Sequence, residues 1–284
     1  MPSVQGEKQT GQKYRKSMVI TIPKTGTNLL KKCLMLMNLD NIPPAWSYKK
    51  APKTLVDLNN PIRPGVVRDF GKEEDTVIAR HLPYAPSAAE FLENNTNANL
   101  FIIRDPRSQL VSAAHALQKH RINGKKRSIQ DLLLDFINAR KENFLPSSAH
   151  YKVKDIPENN VLLKLDLLWH LGAYEFYQLF VPWMKEKNFY TARFENLVGK
   201  NGGGSDEAQL QEVKNIAQHL GVKFSDQELV NIAQNLFGGT STFREGQSDS
   251  WRKHFTPEVT AAFKAHAGLM QLLIDLGYEK DTNW

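Results

Sequence analysis

The chain has 284 residues, of which 41% are hydrophobic and 24% charged, a composition typical of a soluble globular protein. Its single cysteine excludes an internal disulfide, and no apolar run approaches the roughly 18 to 20 residues of a membrane-spanning helix. The net charge of +7 favours an anionic partner without identifying it.

Residues 1–16 are polar and basic and lack the apolar core of a secretory signal peptide. We therefore expect a disordered leader there, and a cytoplasmic protein that is not bound to a membrane. Residues 17–284 contain no internal repeat and no convincing linker, so we predict that they form a single domain.

Residues 18–37 are the most informative segment. An apolar run at 18–22 predicts a buried strand, which ends at Pro23 and leads through a Lys-Thr-Gly-Thr turn into a helix. One face of that helix is apolar, with Leu29, Leu30, Cys33, Leu34 and Met37. A strand, a tight turn and a helix N-terminus direct several backbone N–H groups at one point. The segment therefore predicts an anion site with Lys24 at its mouth.

The order of residues separates this turn from the nucleotide triphosphatase loop GxxxxGK[ST], in which the lysine follows the second glycine. Here Lys24 precedes Gly26, the only glycine of the turn. A P-loop kinase or ATPase, which would need Mg²⁺, is therefore the less favoured alternative.

Strands and helices alternate along the rest of the chain, which predicts an α/β fold with a mainly parallel central sheet covered on both faces. Further strands are predicted at residues 76–79, 100–103 and 189–193. Helices are predicted at residues 86–94, 106–120, 128–143, 166–187, 207–220 and 225–236, with a last helix from residue 257. Irregular structure is predicted at residues 41–64 and 238–256, and a flexible surface loop at the three glycines of residues 201–205.

The strongest charge cluster is at residues 119–127, which include six basic residues if His120 is counted. No aromatic residue interleaves with them, so a solvated loop is favoured over a nucleic-acid surface. We expect no nucleic-acid partner.

Polar side chains follow two of the predicted strands. His81 comes after the second strand, Arg104 ends the third, and Ser112 lies eight residues later in the next helix. The carboxyl ends of parallel strands meet at one edge of a sheet, so Arg104 and Ser112 can face the same edge as Lys24. Two alternatives stay open, namely an ion pair between Arg104 and a nearby acid such as Asp105, and a merely structural His81.

Four segments together resemble the sulfotransferases that use 3′-phosphoadenosine 5′-phosphosulfate (PAPS). They are PKTGT at residues 23–27, ARHLP at 79–83, FIIRDPRSQLVSAAH at 101–115 and FREGQSDSWRKHFTPE at 243–258. The last is similar to the family signature RKGxxGDWxxxFT. The resemblance spans residues 18–256 and implies a three-layer, P-loop-like sandwich, that is, a single soluble sulfotransferase domain.

The resemblance implies a role for each matched residue. Lys24 and the N–H groups of the residues after it would hold the 5′-phosphosulfate, Arg104, Ser112 and the segment from Arg244 would hold the 3′-phosphate, and aromatic rings would contact the nucleotide. The implied cofactor-binding residues are Lys24, Thr25, Gly26, Thr27, Asn28, Arg104, Ser112, Phe194, Phe237, Arg244 and Gly246. The implied catalytic residues are Lys24 and His81, the latter in preference to His115 and His254.

Several positions depart from the family pattern, and three of them bear on cofactor binding. Glu245 stands where the family has lysine, Phe194 where it has tyrosine, and Leu29 where tryptophan is common. Because Glu245 would repel a phosphate, we expect its side chain to turn away. These departures motivate the alternative of a catalytically impaired protein that binds PAPS or its product PAP. The dimer motif of many cytosolic relatives is mostly absent, which leaves the oligomeric state open.

The resemblance implies in-line transfer of a sulfonyl group from PAPS to a hydroxyl or amine of a small-molecule acceptor. Lys24 would neutralise the charge that develops on the leaving phosphate, and His81 would take the proton of the acceptor. No His, Cys, Asp or Glu spacing typical of a metal site occurs, so we predict no metal. The acceptor pocket is predicted near Trp46, Tyr48, Tyr84 and residues 144–151.

Overall fold

The computed structural model of the chain describes residues 15–39, 70–71, 75–119, 126–138, 168, 171–240 and 244–284. The predicted leader, apart from its last two residues, lies outside the described residues. So do the irregular segment at 41–64, most of the basic cluster and most of the acceptor pocket.

The described chain divides into two compact units. The first contains the described residues between 15 and 103 and residues 181–248, and the second contains those between 104 and 180 and residues 249–284. That residues 17–284 form a single domain stays a prediction.

The strands and helices follow the predicted alternation. The strands are β1 Lys16–Thr21, β2 Thr76–Arg80, β3 Asn99–Ile103 and β4 Phe189–Arg193. The helices are α1 Thr27–Leu36, α2 Pro86–Asn95, α3 Pro106–Gln118, α4 Ile129–Asn138, α5 Ala173–Gln178, α6 Phe194–Leu197, α7 Asp206–His219, α8 Asp226–Gln234, α9 Pro257–Ala265 and α10 Ala267–Asp275. Short 3₁₀ helices are Val181–Lys185, Lys200–Gly202 and Ser250–Lys253.

A four-stranded parallel sheet is the centre of the first unit, in the order β2-β1-β3-β4. Consecutive strand residues are fully buried, for example Met18, Val19 and Ile20 in β1 and Phe101 and Ile102 in β3. Burial of neighbours that point to opposite faces means that both faces of the sheet are covered. The predicted α/β fold with a parallel central sheet flanked by helices is confirmed.

One face of the sheet shares a core with α1, α6, α7 and α8. Alternate strand residues such as Val19 and Ile102 pack there with Leu30, Cys33 and Leu34 of α1. The apolar face predicted for this helix is therefore correct, and hydrophobic burial fixes the orientation of its N-terminus.

The strand order decides where the chain can bind a ligand. Since β1 lies between β2 and β3, the chain leaves β1 in one direction and returns past it to β3. Such a reversal opens a crevice at the carboxyl ends of the strands, which is the usual ligand position in parallel sheets. The turn that follows β1 belongs to this edge.

The second unit is organised around a buried arginine. The Arg107 guanidinium contacts the carboxylates of Asp105 at 2.7 Å and Glu279 at 2.6 Å, and lies 4.0 and 4.4 Å from the ring centres of Trp251 and Trp284. Burial alone would lower the pKa of Arg107, but the two carboxylates outweigh it and raise the pKa. Asp105 also accepts the N–H of Arg107 at 2.8 Å and thereby caps α3.

Three predicted boundaries are wrong. Lys16, assigned to the leader, begins β1 and pairs in register with Thr76. The single helix predicted over residues 166–187 is interrupted at Gly172, whose φ is 84°, and continues as α5 and a 3₁₀ helix. The last helix is divided at His266, whose extended backbone ends α9 and whose ring accepts the N–H of Leu269 at the start of α10.

None of the helices in the described part of the chain combines the length and the apolarity needed to cross a bilayer.

The burial of Cys33 leads to a first prediction. Burial, with a smaller contribution from the charge of Glu212, raises the pKa of its thiol to about 12. We expect Cys33 in the folded protein to react with a disulfide reagent at pH 8 at least ~10³-fold more slowly than in guanidinium, because the thiolate is the nucleophile. Comparable labelling rates with and without denaturant would contradict the packing of α1.

Candidate functional site

The turn between β1 and α1 has an unusual backbone. Lys24 has φ 75° and Gly26 has φ 113°, both in the left-handed region that L-residues avoid at a cost of about 1 to 2 kcal/mol. The hydroxyl and the N–H of Thr25 both donate to the Ile22 carbonyl, at 2.8 and 3.2 Å, and close the turn from within. Such strain persists only where the surroundings enforce it, and it is common at functional sites.

Thr25 itself is fully buried. Both of its donors are directed to the Ile22 carbonyl. The geometry therefore favours a structural role for Thr25 in the turn rather than the nucleotide contact that was predicted for it.

Phe194 explains why the turn contains glycine. A Cβ on Gly26 would lie 2.6 Å from Cδ2 of Phe194 and 3.2 Å from Cδ1 of Ile102. The ring of Phe194, 5% exposed, therefore packs against the turn itself. Its predicted contact with a nucleotide stays a prediction.

The N-terminus of α1 provides the donors of an anion site. Gly26 is the N-cap, and its carbonyl accepts the N–H groups of Leu29 and Leu30 at 2.9 and 3.0 Å. The N–H groups of Thr27 and Asn28 belong to the first helical turn, where no acceptor exists within the helix. No acidic residue occurs in that turn, so the positive end of the helix dipole is not cancelled locally.

His81 is joined to this turn through Thr21. Its Nδ1 lies 2.8 Å from the Thr21 carbonyl oxygen and 2.9 Å from Thr21 Oγ1, which is itself 2.9 Å from Oγ1 of Thr27. A carbonyl only accepts, so Nδ1 must carry the hydrogen. In the neutral ring Nε2 is then the nitrogen that can take up a proton.

A second contact fixes the backbone beside His81. The fully buried indole of Trp183 donates its N–H to the Leu82 carbonyl at 2.8 Å. Tyr84 packs edge-on against Trp183, with ring centres 5.1 Å apart, and its hydroxyl donates to Glu186 at 2.9 Å, which raises the pKa of Tyr84. Sequence reasoning missed Trp183, because nothing in the local pattern connects it to His81.

The segment from Arg244 is docked on the glycine-rich loop. The N–H of Ser248 donates to the Gly202 carbonyl at 2.9 Å, and a Cβ on Gly202 would lie 2.6 Å from the Gly246 carbonyl. A Cβ on Gly204 would lie 2.4 Å from a backbone oxygen. The loop lies at the surface as expected, with Gly203 and Gly204 exposed, but its glycines serve close backbone contact rather than flexibility.

Glu245 lies beside Arg244, one of the residues predicted to hold the phosphate from which the Glu245 side chain was expected to turn away. Its carboxylate is 3.4 Å from the Arg244 guanidinium, with both side chains about one-third exposed at 37% and 36%. Arg244 thus has a competing anion next to it.

Phe237 is partly buried against the core of the first unit. Its carbonyl and that of Gly238 accept from the Lys32 ammonium at 3.5 and 2.9 Å, which ties the end of α8 to α1.

The other predicted residues belong to the second unit. Arg104, 7% exposed, directly follows β3, and Ser112 is half-buried in α3. His115 and His254, the less favoured base candidates, contact each other with Nε2 atoms 3.3 Å apart.

Among the described residues, no three His, Cys, Asp or Glu side chains are close enough to hold a metal ion together.

Comparisons with known proteins identify the family and the fold. The family model of the sulfotransferase domain matches residues 14–163, just over half of the chain. A comparison with curated protein sequences found no significant match. The fold is similar to a crystal structure of mouse sulfotransferase SULT7A1 complexed with PAP, with a TM-score of 0.57 and 16% identity over 93% of this chain and 86% of that one. At this identity the similarity concerns the fold alone.

The contact between Gly26 and Phe194 leads to a second prediction. Gly26→Ala should lower the free energy of unfolding by about 1 to 3 kcal/mol more than Gly221→Ala, because only the first adds an overpacked contact to the strained backbone. Gly221 is the matched control, since it has φ 66° and open space around its Cβ position. Urea unfolding measures both, and equal losses would contradict the packing of Phe194 under the turn.

Proposed function

This chain belongs to the sulfotransferase domain family, and we propose that it transfers a sulfonyl group from PAPS to a hydroxyl or amine of a small-molecule acceptor. The observation that carries the proposal is that His81, a candidate base, is joined through Thr21 to the turn that can bind an anion.

The turn after β1 would hold the 5′-phosphosulfate. As the sulfonyl group moves in line to the acceptor, negative charge develops on the oxygen that bridges it to the phosphate. The Lys24 ammonium and the first N–H groups of α1 would stabilise that charge, and most of the catalysis would be positioning and electrostatics. Thr27 and Asn28 contribute those N–H groups, and the strained turn holds them in place before the ligand arrives.

The 3′-phosphate would be held by Arg104, Ser112, Arg244 and the backbone of Gly246. Guanidinium groups suit phosphate because they donate two parallel hydrogen bonds. Gly246 has φ 65°, a conformation that exposes its N–H without a side chain in the way. Binding energy from this remote phosphate would fix the reacting end of the cofactor. The aromatic residues Phe194 and Phe237 are proposed to line the nucleotide.

His81 would accept the proton of the acceptor. Thr21 holds Nδ1 in its protonated form, so Nε2 is the basic atom of the neutral ring. Histidine is the side chain that most often serves as a general acid or base in enzymes. Protein cations and N–H groups neutralise the leaving group in this mechanism, which therefore uses no metal.

Glu245 supports a second candidate, a PAP-binding protein of the same fold that has lost turnover. Its carboxylate beside Arg244 competes with a phosphate. The retention of Lys24 and of the His81 contacts favours the active enzyme.

The test is PAP binding measured by calorimetry, followed by a PAPS assay against a panel of phenols, alcohols and amines, with PAP formation as the readout. PAP binding with turnover of at least one acceptor supports the enzyme. PAP binding without turnover supports the impaired protein. A Mg²⁺-dependent response to ATP, with none to PAP, would favour a kinase.

The role of His81 leads to a third prediction. His81→Asn keeps a donor that can reach the Thr21 carbonyl but removes the base. We expect PAPS turnover to fall about 10²- to 10⁴-fold. PAP affinity and the melting temperature should stay close to those of the parent, because the anion-binding turn keeps its contacts. Unchanged turnover would eliminate His81 as the base.

The position of Glu245 leads to a fourth prediction. Glu245→Gln removes the competing carboxylate, so PAP should bind roughly 3- to 10-fold more tightly at low salt, and the gain should shrink as salt screens it. Glu93→Gln, on the exposed surface of α2, changes the net charge equally and is the control. Equal effects of the two substitutions would mean that Glu245 acts only through net charge.

A further inference from the structure

Thr21 is the last residue of β1, fully buried, and its side chain touches two groups of the candidate site at once. Its Oγ1 lies 2.9 Å from Nδ1 of His81 and 2.9 Å from Oγ1 of Thr27. Both contacts are at hydrogen-bond distance, so Thr21 makes specific polar contacts with His81 and with Thr27.

One contact fixes the position of the first hydrogen in this series of hydrogen bonds. The Thr21 carbonyl is 2.8 Å from His81 Nδ1 and can only accept, so Nδ1 carries the hydrogen. The one Nδ1 hydrogen is then shared between the Thr21 carbonyl and the Thr21 hydroxyl, and the hydroxyl accepts from it. This leaves the hydrogen of Thr21 available to the Thr27 hydroxyl at 2.9 Å, and in that arrangement the Thr27 hydrogen points away from Thr21.

We propose that Thr21 is a positioning residue that couples His81 to the anion-binding turn, because its hydroxyl accepts from His81, donates to Thr27 and so directs the Thr27 hydrogen towards the bound nucleotide. This inference rests on the proposed function, in which the N-terminus of α1 holds the 5′-phosphate of PAP. The buried hydroxyl of Thr21 would then orient both the base, His81, and a donor to the bound anion, Thr27.

The relay makes the effects of His81 and Thr21 on PAP affinity non-additive. Without the His81 donor, the Thr21 hydroxyl is free to accept from Thr27 instead, which turns the Thr27 hydrogen away from the nucleotide. Without the Thr21 hydroxyl, His81 has no route to Thr27. Loss of either group should therefore have the same consequence, and loss of both should add nothing.

The experiment is a double-mutant cycle on the full chain, with the dissociation constant of PAP measured by calorimetry at pH 8, where an ordinary histidine is neutral. Thr21→Val and His81→Leu should each weaken PAP binding about 3- to 10-fold, the range of one neutral hydrogen bond. The double variant should bind no more weakly than either single variant. Thr21→Ser and His81→Asn, which keep the hydroxyl and the donor, should bind PAP like the parent.

Losses that multiply in the double variant would overturn the relay, and so would a Thr21→Ser variant as weak as Thr21→Val. Should Thr21→Val fail to fold, the comparison of His81→Leu with His81→Asn still decides, because equal PAP affinity of these two contradicts the relay. Parent protein that does not bind PAP at all overturns the proposed function, and with it this inference. Additive losses with normal PAP binding by the parent overturn the relay alone.

Discussion

The strained turn between β1 and α1 is the constraint on which the rest of the site depends. The ring of Phe194 packs so close to Gly26 that the turn has no space for a Cβ there. Phe194 is in turn held at the junction of β4 and α6 by the buried carboxylate of Glu212, which accepts from the N–H of Arg193 at 3.2 Å and from the side chain of Asn196 at 2.6 Å. These contacts hold the turn in its conformation, and in the proposed function such a preorganised turn would stabilise the charge of a transition state.

In the proposed mechanism, the same turn would also link cofactor binding to proton transfer. Both the helix donors and the candidate base originate at the carboxyl edge of adjacent strands, because β1 and β2 pair in parallel register. Trp183 holds the backbone after His81, and Thr21 holds its ring. A base fixed at two points loses little freedom on reaching the reacting geometry, which is the physical basis of catalysis by positioning.

Local sequence patterns predicted the strands and helices best where one physical effect, the burial of apolar side chains, acts alone. The sequence predicted all four described strands to within about two residues, and for β1, β2 and β3 the signal was an apolar run, because the central residues of these strands are buried on both faces. The breaks at Gly172 and His266 were missed, because apolar spacing continues across them. The role of the loop at residues 201–205 was misread as well. Its glycines look like linker residues in sequence but serve close backbone packing in the fold.

The sequence by itself determined the order of strands and helices and the glycine-containing turn after β1, and it singled out Lys24 and His81 as candidate site residues, because these features depend on neighbours a few positions apart. Only the tertiary structure decided which contacts hold His81 and its neighbours in place. Thr21 and His81 are 60 residues apart, and Trp183 and Leu82 are 101 apart. Contacts at such separation depend on how the sheet brings strands together, and hydrophobic burial, which drives that assembly, is not directional and leaves no local pattern.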